Sequence, residues 1–341
     1  MNSEYNLKYE LFDVELPKDI NAKLAEIYES PYSVLEYFQI YGKSNGKRLK
    51  TLYLFENDLL KHILVFIINK NKAILLNELF KIEANDILKI SQILFDKYPN
   101  LNKINVNRFA ANTSDKFFKF PCLITTAINN AILQLPETIN GYLDALGKQT
   151  KKHIQYYVNR INKSYSNFSF EIFETNNIFD KTIARIIEMN RNRITHKGKK
   201  NGIDSLYESR IIQFSKIYGL VGICKVDDAI IAGTLCYKIN RNAFLPVIAH
   251  DDNYNKYNAG QICLFLTIQH LINSKIAFFH MLWGRSEYKY RFGAKDDNLY
   301  FLTIYKSKAA YCINKTYYFF LGFVKAGLSF IKKSIKPNHA N

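Results

Sequence analysis

The feature that most constrains this chain is an order of apolar patterns that occurs twice. In the first half, Thr51–Glu56 is a short β-rich run and His62–Asn69 a continuous apolar run. A turn at Asn71-Lys72 leads into Ala73–Phe80, a hairpin signal. Asn85–Tyr98 then carries Ile87, Leu88, Ile90, Ile93 and Leu94 at the spacing of one helical face. Pro99-Asn100 stops it and Lys103–Asn107 resumes a strand. The second half follows the same plan. Phe168–Glu174 alternates apolar and polar, and helices are expected over Ile178–Thr195, near a cap-like Asn177, and over Asp204–Tyr218, with Asp204 as N-cap. Gly219–Val226 and Ala229–Ile239 form a hairpin around Asp227-Asp228, and Asn242–His250 is a third strand. A helix from about Ala259 to Asn273 leads to a strand at Ile276–Leu282, and Leu299–Tyr305 is the last strand. A strand–helix–strand step places its second strand parallel to a neighbour by a crossover. The expected fold is therefore α/β (α+β), a duplicated domain with mixed, mostly antiparallel sheets flanked by helices.

The length of 341 residues fits two units of about 150 residues each. Leu135-Pro136-Glu137-Thr138 marks the boundary, so the division expected is 1–138, 139–308 and a tail, 309–341. With 25 Phe and 24 Tyr the chain cannot stay unfolded in water, and 14 Gly and 7 Pro exclude a collagen-like or linker-like chain. The net charge of +17 implies an anionic partner, although a Lys-, Asn- and Ile-rich composition also follows from an AT-rich genome. Five scattered cysteines with no C-x-x-C pair give neither a disulfide framework nor a structural zinc site, and no metal is expected. The first residues are acidic and lack an apolar core, and no uncharged apolar run reaches roughly 18 residues. A cytoplasmic protein with reduced thiols is expected. The tail mixes aromatics with Lys325, Lys332, Lys333 and Lys336, which suits an amphipathic helix at the inner face of a membrane or one packed on the domain or in an oligomer interface.

Three segments carry candidate chemistry. Tyr254-Asn255-Lys256-Tyr257-Asn258-Ala259-Gly260-Gln261-Ile262 ends a strand and opens a helix with a small pair. Unpartnered N–H groups there attract phosphate, although such a pair is also ordinary in turns. Trp283–Gly293 crowds Arg285, Glu287, Lys289, Arg291 and three aromatic rings between two glycines at a strand end. Leu146–Lys163 is a basic helix, either a solvated face or a wall over an anionic ligand.

In this order the segments resemble the GNAT-superfamily acyltransferases of the CelD/BcsL type, relatives of the FemAB peptidyltransferases. That group shows a Leu-Pro-x-Ser/Thr turn, a helix of the form L-x-K-K-T-R-K-x-x-R, a Y-x-x-x-S-P-G step and a terminal G-R-G-D-E-P-Y-K-x-R-F-G. Leu135–Thr138, Leu146–Ile154, Tyr254–Gly260 and Gly284–Gly293 are the matching segments, within about residues 121–306. Ala259 replaces the usual Pro and the last motif is two residues shorter, while Tyr288, Lys289, Arg291 and Gly293 keep their relative spacing. The resemblance implies tandem GNAT-like domains in a FemAB-like arrangement, the first one degenerate. It implies an acetyl-CoA or other acyl-CoA donor lying between Asn242–His250 and Ile276–Leu282, its pyrophosphate on Lys256, Asn258, Ala259, Gly260, Gln261 and Ile262. The acceptor would be a nucleotide-sugar or lipid-linked saccharide of bacterial surface polysaccharide synthesis, held by Lys152, Tyr156, Trp283, Arg285, Lys289 and Arg291. His250 is the first candidate base, with Asp252 and Glu287 as alternatives and Tyr288 as the acid for the leaving thiolate. Cys263 reads as a buried inert thiol. A FemAB-like transferase using aminoacyl-tRNA and a non-catalytic GNAT-fold binding module stand as the alternatives.

Overall fold

The computed structural model describes residues 7–110, 119–196, 198, 202–313, 315 and 316. Most of the tail at 309–341 lies outside the described residues. Among the described residues twelve strands form one sheet. The first half contributes β1 (Leu7–Phe12), β2 (Lys50–Glu56), β3 (Leu59–Asn69), β4 (Lys72–Leu75), β5 (Lys103–Phe109) and β6 (Cys122–Gln134). The second contributes β7 (Ser169–Glu174), β8 (Gly219–Val226), β9 (Ala229–Ile239), β10 (Asn242–His250), β11 (Phe278–His280) and β12 (Lys295–Tyr305). The spatial order is β1-β2-β3-β4-β5-β12-β6-β11-β10-β9-β8-β7. All neighbours are antiparallel except β4–β5 and β10–β11. These two parallel pairs are the crossovers expected from the strand–helix–strand steps.

The last strand of each half crosses over to the other. β12 pairs with β5 of the first half, and β6 pairs with β11 of the second. The exchanged strands pair with each other from Cys122–Ile304 to Ile132–Lys295. Hydrogen bonding thus runs across the boundary at residue 138. The helical layer spans it too. Ile20 and Leu24 on α1 (Ile20–Tyr28) and Phe38 on α2 (Leu35–Ile40) share a core with Ile183, Ile187 and Phe214. Those three lie on α6 (Asp180–His196) and α7 (Ser205–Tyr218). The phenol oxygens of Tyr41 and Tyr237 meet at 3.1 Å in that core.

The opposite face of the sheet carries α3 (Ala84–Lys97) over the first half. Over the second half lie α4 (Ile139–Ala145), α5 (Lys148–Ser164) and α8 (Ala259–Asn273). Thr138 caps α4 by accepting the Gly141 N–H at 3.1 Å, and Asp204 caps α7 by accepting the Tyr207 N–H at 2.7 Å. α8 is apolar nearly all round and is buried accordingly. α5 buries only Ile154 and Ile161, so its charged faces stay in water. Two elements differ from expectation. A 3₁₀ turn over Thr175–Asn177 delays α6 to Asp180. β11 is short because its ladder to β10 stops at His280, just before Leu282 turns into the left-handed region at φ 54°.

Candidate active site

The site begins where β10 and β11 part. Their parallel ladder joins Asn242 to Phe278, Ala243 to Phe279 and Phe244 to His280, then stops. β10 bulges against β9 between Phe244 and Val247, and Pro246 sits in the bulge. Proline has no N–H, and a bulge is one of the few strand positions that tolerates this. Beyond it β10 runs on to His250 with no β11 partner. Met281 and Leu282 instead exchange backbone bonds with Ala131 of β6. The two strands therefore frame a slot that opens toward the N-terminus of α8.

At that open end His250 and Gly260 occupy one place. A Cβ on Gly260 would lie 2.8 Å from His250 Nδ1, so only glycine lets the imidazole lie against the helix start. His250 Nε2 is 2.7 Å from Asn255 Oδ1. Asn258 enters α8 in the left-handed conformation, at φ 52°. Ala259, Gly260 and Ile262 are buried and Gln261 is half-buried. Asp252 pairs with His196 at 2.6 Å, and that hydrogen bond holds its carboxyl below the usual range. Asp251 pairs with Arg185 at 2.8 Å. Arg160 of α5 donates to the Lys256 carbonyl at 3.0 Å and lies over the Tyr156 and Tyr257 rings. The basic helix thus flanks the α8 end of the slot, with Lys152 and Tyr156 exposed on it.

The glycine-bounded motif follows the strand end. Gly284 and Gly293 have φ of 87° and 91°, which side-chain-bearing residues rarely adopt. Between them is α9 (Glu287–Arg291). Lys289 folds back into the protein, 3% exposed, and its Nζ donates to the carbonyls of Leu282 at 3.0 Å and Trp283 at 2.6 Å. Burial pushes its ammonium down to about 8. It serves as a strut that ties the motif to the end of β11. Trp283 packs against Tyr32 and under the Arg108 guanidinium, both from the first half. Arg108 is paired with buried Glu78 at 2.8 Å. Tyr288 is half-buried beside the α4–α8 core, and burial raises its phenol while Arg193 of α6 opposes the rise. Glu287 is exposed and meets Arg291 at 3.6 Å, and Arg285 is exposed. Cys263 is buried, with its Sγ toward the Gly222 carbonyl at 3.4 Å.

Sequence reasoning missed a chamber of about 500 Å³ beside the point where β10 and β11 part. Its floor is a polar row across the central strands: Asp297 on β12, Asn130 on β6, His280 on β11 and Asn242 on β10. Asn130 Nδ2 is 3.0 Å from His280 Nδ1, His280 Nε2 is 3.4 Å from Asn242 Oδ1, and Asn242 Nδ2 donates to Glu29 at the end of α1 at 2.7 Å. The His280 ring stacks on Phe244 at 4.2 Å, and burial pushes its imidazole down to about 3. First-half residues Tyr28, Lys61, His62 and Lys81 close the other side. Leu79, in the wall, and Arg108 and Leu282 nearby in the chain all have positive φ, and such strain concentrates at functional sites. The available sequence signal was Asn129-Asn130 inside an otherwise β-forming run.

Comparison with known proteins fits this geometry. Residues 148–290 match the model of the acetyltransferase (GNAT) domain. The matched domain is that of an acyltransferase, and it spans the slot, the α8 end and most of the glycine-bounded motif. The fold extends the likeness to nearly the whole chain. A crystal structure of FemX is similar at a TM-score of 0.60 and 8% identity, covering 86% of this chain and 96% of that one. A conserved protein of unknown function from Bacteroides thetaiotaomicron has a TM-score of 0.55 and 10% identity, covering 89% and 100%. L-PGS from Bacillus licheniformis has a TM-score of 0.53 and 10% identity, covering 88% and 96%. At these identities the likeness is one of fold. No curated protein matches the sequence. Among the described residues no helix is long and apolar enough to cross a membrane.

Proposed function

We propose that the chain is an acyl-CoA-dependent acyltransferase of the CelD/BcsL type, acting on a sugar or sugar-linked amine or hydroxyl in bacterial surface polysaccharide synthesis. The observation that carries the reading is the slot between β10 and β11, which runs from the bulge at Phe244–Val247 to the start of α8. The donor's pyrophosphate lies at the N–H groups of Ala259 and Gly260, since those of Asn258, Gln261 and Ile262 already donate to the Asn255 and Asn258 carbonyls, and the helix dipole and the cations Lys256 and Arg160 favour it there. Its pantetheine arm follows β10 and its thioester reaches the bulge. N–H groups of β10 that lose their β11 partner stabilise the oxyanion. Tyr288 protonates the leaving thiolate. The acceptor enters from the chamber. In this arrangement His250 and Asp252 belong to the phosphate end, because His250 lies against Gly260. Trp283 and Lys289 shape the wall between slot and chamber, whereas Arg285, Glu287 and Arg291 stay at its solvent rim.

The test is transfer itself. Protein is incubated with labelled acetyl-CoA and a panel of nucleotide sugars and amino sugars, and products are resolved by mass. Acetylated sugar supports the reading, and no transfer with any member removes it. Whole-chain likeness to FemX favours one other reading, an aminoacyl-tRNA-dependent transferase with the basic face of α5 on the tRNA. It predicts tRNA binding that weakens steeply with salt.

A further inference from the structure

The hydrogen bonds in the chamber floor have a direction, set from the first half of the chain. Glu29 accepts from Asn242 Nδ2. The Asn242 amide is thereby oriented with its oxygen toward His280, and the ring nitrogen facing it, Nε2, must carry the proton. Nδ1 is then an acceptor, and Asn130 turns its NH₂ group to it. The chain of donors ends there, which leaves Asn130 Oδ1 as an acceptor with no partner on a side chain only 2% exposed. Leaving such an atom unsatisfied is costly. Asp297 is directly opposite Asn130 across the β12–β6 ladder, a spacing of about 5 Å between side-chain roots. Its carboxylate also lines the chamber, makes no hydrogen bond or ion pair among the described residues, and feels Lys81 as the nearby cation. Two open acceptors therefore stand side by side. Glu26 and Glu29 add negative charge to the same cavity, whereas Lys61 is already paired with Glu56, Glu83 and Asp86, leaving Lys81 as the opposing cation.

We propose that the chamber binds a primary ammonium group between Asn130 Oδ1 and Asp297, and that this group is the amine of the acyl acceptor. The proposal rests on the acyltransferase reading for what happens next, though not for the binding itself. An ammonium has three donors for these acceptors, and the net negative cavity favours it over a hydroxyl. It lies one strand step beyond His280, beside the parting of β10 and β11. For transfer, the ammonium first gives one proton to Asp297. The free amine then forms its C–N bond to the thioester carbon as the C–S bond breaks. The sulfur leaves as thiolate and takes the proton of the Tyr288 phenol, and the phenolate recovers one from the new amide nitrogen, so no proton is left over apart from the one on Asp297.

The experiment measures acceptor binding without donor. Saturation-transfer NMR compares methyl 2-amino-2-deoxyglucopyranoside with methyl glucopyranoside, which has a hydroxyl in place of the amine. The amino probe is expected to bind about 10-fold more tightly or better. Asp297→Asn should bring the two within about 2-fold while melting temperature and acetyl-CoA binding by calorimetry stay unchanged. Glu29→Gln, which frees the Asn242 amide to turn, should cut the preference about 3-fold. Equal binding of the two probes, tighter binding of the hydroxyl probe, no binding of either, or a preference that survives Asp297→Asn overturns the proposal. An amine preference retained in a protein that ignores acetyl-CoA would sink the donor reading alone.

Discussion

His250→Ala separates the two ends of the slot. The parting of β10 and β11 is at Phe244, and His250 is six residues further along the same strand. At about 3.3 Å per residue His250 lies roughly 20 Å along the strand from Phe244 and about 10 Å from Val247, the near edge of the bulge. A base acting on the acceptor needs to be within about 3 Å of the proton it takes, or one water away. What His250 does hold is the Asn255 turn, through one hydrogen bond of 2.7 Å, and the surface of Gly260. Losing that bond costs about 0.5–1.5 kcal/mol, which is at most about 10-fold in donor affinity. Steady-state kinetics with thiol detection should therefore give a donor KM raised by up to about 10-fold and a kcat within about 3-fold of the parent. Gly260→Ala, which pushes a methyl to 2.8 Å from the ring, should also raise donor KM, and the double variant should be milder than the sum because the clash is gone. A kcat lowered about 10²-fold or more with donor KM unchanged would make His250 the base and refute the reasoning.

Three further outcomes follow from the same geometry. Glu287→Gln should leave kcat and both KM values within about 2-fold, since the side chain is exposed and meets only Arg291; a 10²-fold loss would bring Glu287 back as the base. Lys289→Met deprives two carbonyls of their donor, and a net loss of about 1–3 kcal/mol in denaturant unfolding is expected, together with a fall in kcat. Unchanged stability with only acceptor KM raised would make it a substrate ligand. His280, with its imidazole pushed down to about 3, binds fewer protons folded than unfolded between pH 3 and about 6.5. Stability should thus fall as pH drops through that window, and His280→Gln should flatten that acid limb; identical limbs would mean the ring is freely protonated in the fold.

Much of the architecture was legible because burial imposes period. β2–β5 and β7–β10 show it directly, as does the repeated strand–helix–strand step. The strand exchange was not legible, because β12 and β6 meet across more than 160 residues of chain, beyond the reach of any local pattern. β6 and the first residues of β12 were hidden for a related reason. Thr125, Thr126, Asn129 and Asn130 break the apolar run of one, and Lys295–Asn298 the start of the other. Asn130 and Asp297 among these face the chamber, so the chemistry of the site erased the signal of the strands that carry it. The loop before α8 and the motif at 284–293 were legible from their glycines and charges. Lys289 was not, since spacing gives no sign that an ammonium on a short helix will curl back under the preceding strand.

The central claim is that an acyl-CoA lies in the slot with its pyrophosphate at the start of α8. Calorimetric titration of the protein with acetyl-CoA, repeated on Gly260→Val, tests it most directly. Saturable binding at one site per chain, weakened about 10-fold or more by a valine at Gly260 while the melting temperature holds, is the result the slot predicts. Absence of binding, or binding indifferent to that valine, would contradict it.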